Sequence, residues 1–312
     1  MTSAFERHRD LTVGGGPIRH YQSGDSGPPV LLLHGGALDT AEGVWRNVAP
    51  GLADKYQVHA IDLPRHGASR PWSGDLGREF FDQFLDELLD ELELPKVAII
   101  GLSLGGGLGI GMSLRHPDRV SALITIGPGG LGAKRNAQFF SWLVMRTPGV
   151  LWWTSKYLAR SSKAIRKAMI SNLTAGADTL DFEAIISSIH TEAQAKAEHG
   201  ERALDDWMIN SVGPFRMNLD YLPELDQLAV PSLWIRGEND PLVLHPEMAE
   251  AARKAPGAQF VTLADAGHVV TYDQSVEFTR LADEFLETVL GRQNVEPSDG
   301  ESDLARPDAS QP

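Results

Sequence analysis

Ser103 stands in Gly101-Leu102-Ser103-Leu104-Gly105, directly after the apolar run Val97-Ala98-Ile99-Ile100 and directly before a stretch that reads as helix. A serine hydroxyl is a weak nucleophile until a neighbouring base takes its proton. A G-x-S-x-G turn between strand and helix can present that hydroxyl. The serine is held in a strained conformation and projects from the turn, and glycine on either side removes side chains that would collide where strand and helix meet. The helix start adds unpaired N–H groups and a positive dipole end, which favour negative charge developing nearby. Taken alone, the pentapeptide has a competing reading as a Gly-rich turn with an incidental serine. A base and an acid to orient it are also in reach. Asp240 follows the strand-like Pro231–Gly237, and His268 follows the strand-like Gln259–Leu263. All three residues therefore lie just past the C-terminal end of a predicted strand, the edge at which open α/β sheets bind ligands.

The elements that must position these side chains follow from periodicity. Strands are expected near 30–34, 56–61, 96–101, 121–126, 232–236 and 259–263, alternating with helices. Residues 5–13 and 17–23 flank Gly14-Gly15-Gly16-Pro17 and read as an antiparallel hairpin. Over 75–92, Phe80, Phe81, Phe84, Leu85, Leu88, Leu89 and Leu92 recur at helical spacing, with Asp82, Asp86, Glu87, Asp90 and Glu91 on what reads as a solvated face. A last helix is expected over about 274–290. Residues 291–312 are rich in Pro, Ser, Asp and Gly and are expected to be disordered.

With the order Ser, Asp, His on alternating strands and helices, the chain resembles the α/β-hydrolase family over roughly residues 5 to 290. The resemblance implies a mostly parallel central sheet flanked by helices, with an inserted helical cap. It implies a core over 1–131 and 227–290, the cap over 132–226 and a tail over 291–312. It implies Ser103 as nucleophile, His268 as base and Asp240 as its acid. An oxyanion hole would come from the backbone N–H of Leu104 and of Gly36 or, as the lesser candidate, Ala37, past the strand Val30–Leu33 and His34-Gly35. His34 is expected to bond neighbouring loops, not to carry protons. Ile61–Ser69 resembles the family's D-x-x-G-x-G-x-S loop, with Asp62 as a brace; Arg65 stands where glycine is frequent.

The interval 132–226 contains no convincing strand, and in this family such an insert covers the nucleophile and shapes the substrate pocket. From Arg119 to Ala177 there is no Asp or Glu, although the chain carries −14 overall. The segment holds Lys134, Arg135, Arg146, Lys156, Arg160, Lys163, Arg166 and Lys167 beside Phe139, Phe140, Trp142, Trp152, Trp153 and Tyr157. Three readings stay open: amphipathic helices with solvated bases, a surface for an anionic membrane or acidic partner, or an inward Arg146 or Arg160 that recognises substrate carboxylate or phosphate. Trp142, Trp152 and Arg146 are the candidate pocket residues.

Composition bounds the rest. A length of 312 residues fits one large α/β domain with an insert, and 42% hydrophobic residues suffice for its core. With no cysteine, disulfides, thiolate catalysis and zinc–thiolate sites are excluded. The N-terminus lacks a signal-peptide core, and no run approaches a membrane span, so a cytoplasmic protein is expected. Nucleic acid is not an expected partner of so acidic a surface. The expected chemistry is cleavage of small to medium apolar esters, lactones or thioesters, without metal or organic cofactor. Carbon–carbon bond hydrolysis and cofactor-free perhydrolysis use the same triad. Val269 follows the histidine where carbon–carbon hydrolases usually carry Trp. A non-catalytic ligand receptor on the same fold is the reading from another class.

Overall fold

The computed structural model describes residues 5–293. The chain opens with the hairpin β1 (His8–Val13) and β2 (Gly16–Ser23), followed by β3 (Pro29–Leu33). Two short helices, α1 (Ala41–Trp45) and α2 (Ala49–Leu52), lead to β4 (Gln57–Ile61). Then come α3 (Arg78–Glu91), β5 (Val97–Leu102), α4 (Leu104–Arg115) and β6 (Val120–Ile126). A helical insert follows, with α5 (Gln138–Arg146), α6 (Val150–Arg160), α7 (Ser162–Asn172), α8 (Phe182–Glu198) and α9 (Asp206–Ser211). The alternation resumes with β7 (Ser232–Gly237), α10 (His245–Lys254), β8 (Gln259–Leu263), α11 (Val270–Asp273) and α12 (Ser275–Gln293). α12 runs to Gln293, so the expected tail of 291–312 begins as helix; from residue 294 on it lies outside the described residues.

The eight strands form one sheet in the order β1-β2-β4-β3-β5-β6-β7-β8. β1–β2 and β2–β4 are antiparallel, and every pair from β4 to β8 is parallel. This is the α/β-hydrolase fold. β5, β6 and β7 are buried along their whole length, as expected of parallel strands covered on both faces. Alternate residues feed two cores. Leu31, Leu33, Ile99 and Leu123 pack with Phe84 and Leu88 of α3, while Leu32, Ile100 and Ile124 pack with Trp45 and Phe278.

The carboxylates of α3 form a less solvated face than the sequence suggests. Asp82 pairs with Arg115 at 2.7 Å, Asp86 with His116 at 3.1 Å and Asp90 with Arg119 at 2.8 Å. These partners lie at and just after the end of α4, so part of that face is a seam between neighbouring helices. The pairing could not be read from α3 alone because its partners are remote in sequence.

α4 carries glycine at 105, 106, 107, 109 and 111, a composition that disfavours helix. Packing outweighs that preference. A Cβ at position 105 would sit 2.2 Å from the Leu33 carbonyl oxygen, and one at 101 would sit 2.4 Å from the Gly105 backbone. Helix and sheet therefore touch backbone to backbone. Gly105→Ala is expected to cost about 2 kcal/mol or more, or to prevent folding, because the clashing atom is main chain and cannot turn away. Urea denaturation checks this; native stability in that variant would show that α4 has room to shift.

Candidate active site

The parallel register brings the loops after β3, β5, β6, β7 and β8 to one edge of the sheet. Ser103 immediately precedes α4, with φ 50° and ψ −108°, a backbone region that side-chain-bearing residues avoid. Its N–H donates to Ile126 O at 2.9 Å, and its own carbonyl accepts from Gly107 and Gly129, each at 2.9 Å. The next residue after Ile126, Gly127, faces the other two candidates. A Cβ there would lie 2.8 Å from Asp240 Oδ2 and 3.1 Å from His268 Cε1. Ile126-Gly127 thus touches Ser103 through its backbone and the Asp240–His268 pair through Gly127.

His268 Nδ1 is 2.9 Å from Asp240 Oδ2. The other carboxylate oxygen accepts the N–H groups of Leu242 at 2.7 Å and Val243 at 3.1 Å. Burial raises the pKa of Asp240, but the hydrogen bond and charge of His268 and those two N–H groups outweigh it and leave the carboxyl below its ordinary value. The acid loop is held from beneath by Arg236, whose guanidinium donates to the carbonyls of Val243, Glu238 and Asp240 at 2.8, 3.0 and 3.0 Å. Nothing in the sequence pattern singled out Arg236. Among the described residues no hydrogen bond joins Ser103 Oγ to His268; such contacts are often loose before substrate binds.

The backbone donors near Ser103 divide clearly. Ala37 N–H donates to Asp205 Oδ2 at 2.6 Å. The N–H groups of Gly36 and Leu104 have no acceptor among the described residues. His34 is fully buried, with Nδ1 at 2.6 Å from Gly35 O and Nε2 accepting from Leu63 N–H at 2.9 Å. Those bonds require the neutral ring with its proton on Nδ1, and burial depresses its pKa well below the ordinary value. Asp62 accepts from Ala41 N–H, Ala68 N–H and Tyr21 Oη at 2.9, 3.0 and 3.0 Å, so it braces three segments. Arg65 sits at φ 65°, where glycine would be unstrained, and its guanidinium reaches Asp206 at 2.7 Å.

The part of the insert that meets the nucleophile turn is Asp205–Met208. A Cβ at Gly36 would be 2.5 Å from Asp205 Oδ2 and 2.7 Å from Met208 Sδ, and one at Gly107 would be 2.8 Å from Trp207. Burial raises the pKa of Asp205, but Lys196, His66 and the Ala37 N–H overcome it and hold the carboxyl well below the carboxylate range. The three insert residues expected in the pocket are not among those lining the cavity beside His268. Arg146 is exposed and donates to Asn210 at 3.2 Å. Trp142 is half-buried with Phe139 at 5.7 Å, and Trp152 is half-buried with the Lys156 ammonium 3.6 Å above its ring. A cavity of about 260 Å³ beside His268 is lined instead by Met169, Leu173, Pro241, Leu242 and Val269, with Asn172.

Asp39 is a further acid at this edge that the sequence did not reveal. A Cβ at Gly35 would be 2.3 Å from Asp39 Oδ2 and 3.5 Å from Ser103 Cβ. Burial pushes its pKa up from 3.8 to about 6; His66 and His268 oppose that rise, and Asp205 and Glu192 add to it. Between those two values the folded chain binds more protons than the unfolded chain, so stability falls as pH rises through that window and stays reduced above it. Asp39→Asn is therefore expected to be more stable than the native chain at neutral pH, with the difference vanishing below about pH 4. Denaturation of both at the two pH values tests this; a variant destabilised at neutral pH would contradict it.

Residues 28–274 match the alpha/beta hydrolase fold family, and the chain belongs to it. It is 26% identical to the pimeloyl-[acyl-carrier protein] methyl ester esterase of Aeromonas hydrophila, over 83% of this chain and 96% of that one. It is 25% identical to the 2-hydroxy-6-oxo-6-phenylhexa-2,4-dienoate hydrolase of Comamonas testosteroni, over 86% of this chain and 90% of that one. A solved serine hydrolase involved in carbazole degradation superposes with a TM-score of 0.73 at 23% identity, covering 90% of this chain and 98% of that one; that likeness bears on the fold alone. These similarities support a hydrolase, and the relatives include esterases and carbon–carbon bond hydrolases.

Proposed function

We propose that this protein is a serine hydrolase that cleaves carboxylic esters of small to medium apolar acids or alcohols through an acyl-enzyme. The observation that carries the reading is the His268–Asp240 hydrogen bond at the same sheet edge as the strained Ser103, with two N–H groups left free beside it. Asp240 holds the proton of His268 on Nδ1, so Nε2 is the base that takes the proton from Ser103. The serine oxygen attacks the acyl carbonyl. Leu104 and Gly36 N–H stabilise the oxyanion, a contribution of about 3 kcal/mol per donor. Because Asp205 occupies the Ala37 N–H, Gly36 is the donor of choice on that loop. His268 then protonates the leaving alcohol, activates water against the acyl-enzyme and returns the serine hydroxyl. The apolar cavity beside His268 supports an apolar substrate portion, and the insert acts as the cap over the nucleophile.

Ester cleavage is preferred to carbon–carbon cleavage because Val269 follows the histidine in place of Trp. A panel of p-nitrophenyl esters graded by acyl length, with a dienoate and with peroxide plus acetate, tests the class. The proposal expects turnover of short to medium esters and little of the dienoate; the reverse preference would move the chain to the carbon–carbon hydrolases. Ser103→Ala is expected to lower kcat by about 10⁴-fold or more while keeping the native fold. Retention of more than a few per cent of the rate by the folded variant would remove Ser103 from its role.

A further inference from the structure

The segment from Arg119 to Ala177, free of Asp and Glu in a chain of net charge −14, forms the buried strand β6 and then α5, α6 and α7. In the helical part, large apolar side chains point outward to an unusual degree. Phe140 is 66% exposed, Trp153 63% and Tyr157 61%, and Phe139 is 51% exposed, stacked on Phe215, itself 75% exposed. Trp153 and Tyr157 lie one turn apart on α6, so they share a face. The same segment carries bases without acidic partners. Lys134, Arg160, Lys163 and Lys167 are exposed and form no ion pair among the described residues. Lys163 and Lys167 lie one turn apart on α7. The solvated-face reading of this segment explains the bases but not its exposed aromatics, and Arg146 and Arg160 are exposed and do not line the cavity beside His268.

We propose that this α5–α7 face docks on the surface of an anionic lipid bilayer. Trp, Tyr and Phe place their rings at the headgroup boundary, while lysine and arginine extend apolar stems along it and keep their charge at the phosphates. No helix among the described residues is long and apolar enough to cross a membrane, so attachment would run along the surface. A bilayer fits better than a second copy of the chain. A two-fold contact would set this face against itself and bring the unpaired bases Lys134, Arg160, Lys163 and Lys167 of both copies together, whereas an anionic surface neutralises them. α7 also carries Met169 and Asn172, and Leu173 just after it, to the cavity beside His268, so the docking face and that cavity share a helix.

Co-sedimentation of the full chain with phosphatidylcholine vesicles, with and without phosphatidylglycerol, tests the proposal. The expected result is retention on the phosphatidylglycerol vesicles, weakened by salt, with little on phosphatidylcholine alone. The double variants Phe140→Ser/Trp153→Ser and Lys163→Glu/Lys167→Glu should each weaken retention at least about tenfold with unchanged unfolding midpoints. Absence of retention on either vesicle overturns the proposal, as does retention that both folded variants keep. Salt-sensitive self-association through these residues, without lipid binding, would assign the face to a second copy and overturn it equally.

Discussion

The structure depends on one constraint: Ser103 must be held at a positive φ between a buried strand and a buried helix. Such a conformation costs about 1–3 kcal/mol and persists only where its surroundings determine it. Here they do so from every side. The Ser103 N–H is tied to β6, its carbonyl is tied to the loop after β6 and to the first turn of α4, and glycines at 101 and 105 let helix and sheet meet at backbone distance. The same glycines that weaken α4 as an isolated helix make it possible here. The strained residue, the free N–H of Leu104 and the N-terminal end of α4 are consequences of one packing arrangement.

A second network fixes the insert on the core. Arg70 meets Glu192 and Glu201, His66 meets Asp205 at 2.8 Å, and Arg65 and Arg202 converge on Asp206. Most of these groups are nearly inaccessible to water. Buried ion pairs gain little net stability because desolvation offsets their attraction, but removing one partner is costly. Their effect here is positional. Asp205 can reach the Ala37 N–H only if α8 and the turn after it sit in one place on the 62–70 loop, and that contact decides which N–H group on the β3 loop remains free. The departure at Arg65 has the same logic: glycine would relax the backbone but could not reach Asp206.

The sequence revealed the elements with strong periodicity. The hairpin, the parallel strands and the helix at 78–91 follow from runs such as Val30–Leu33 and from the spacing of Phe81, Phe84, Leu85 and Leu88. The positions of Ser103, Asp240 and His268 just past strand ends were readable for the same reason, since parallel strands share one C-terminal edge. What was not readable depends on contacts between remote segments. Asp205 meets Ala37 across 168 residues, and no local pattern marks it. Asp39 looks like an ordinary loop acid until the fold sets it, like Ser103, beside Gly35. The aromatic and basic stretch is conspicuous by composition, whereas Asp205–Met208, which the structure puts against Gly36 and Gly107, carries no such mark in the sequence.

The central claim is that Ser103 is the activated nucleophile of this edge, and covalent trapping tests it most directly. Folded protein treated with a fluorophosphonate should carry a single adduct, which peptide mass spectrometry would assign to Ser103, and His268→Ala should greatly slow its formation. Failure of the folded native chain to react, or modification at another serine with Ser103 untouched, would contradict the account.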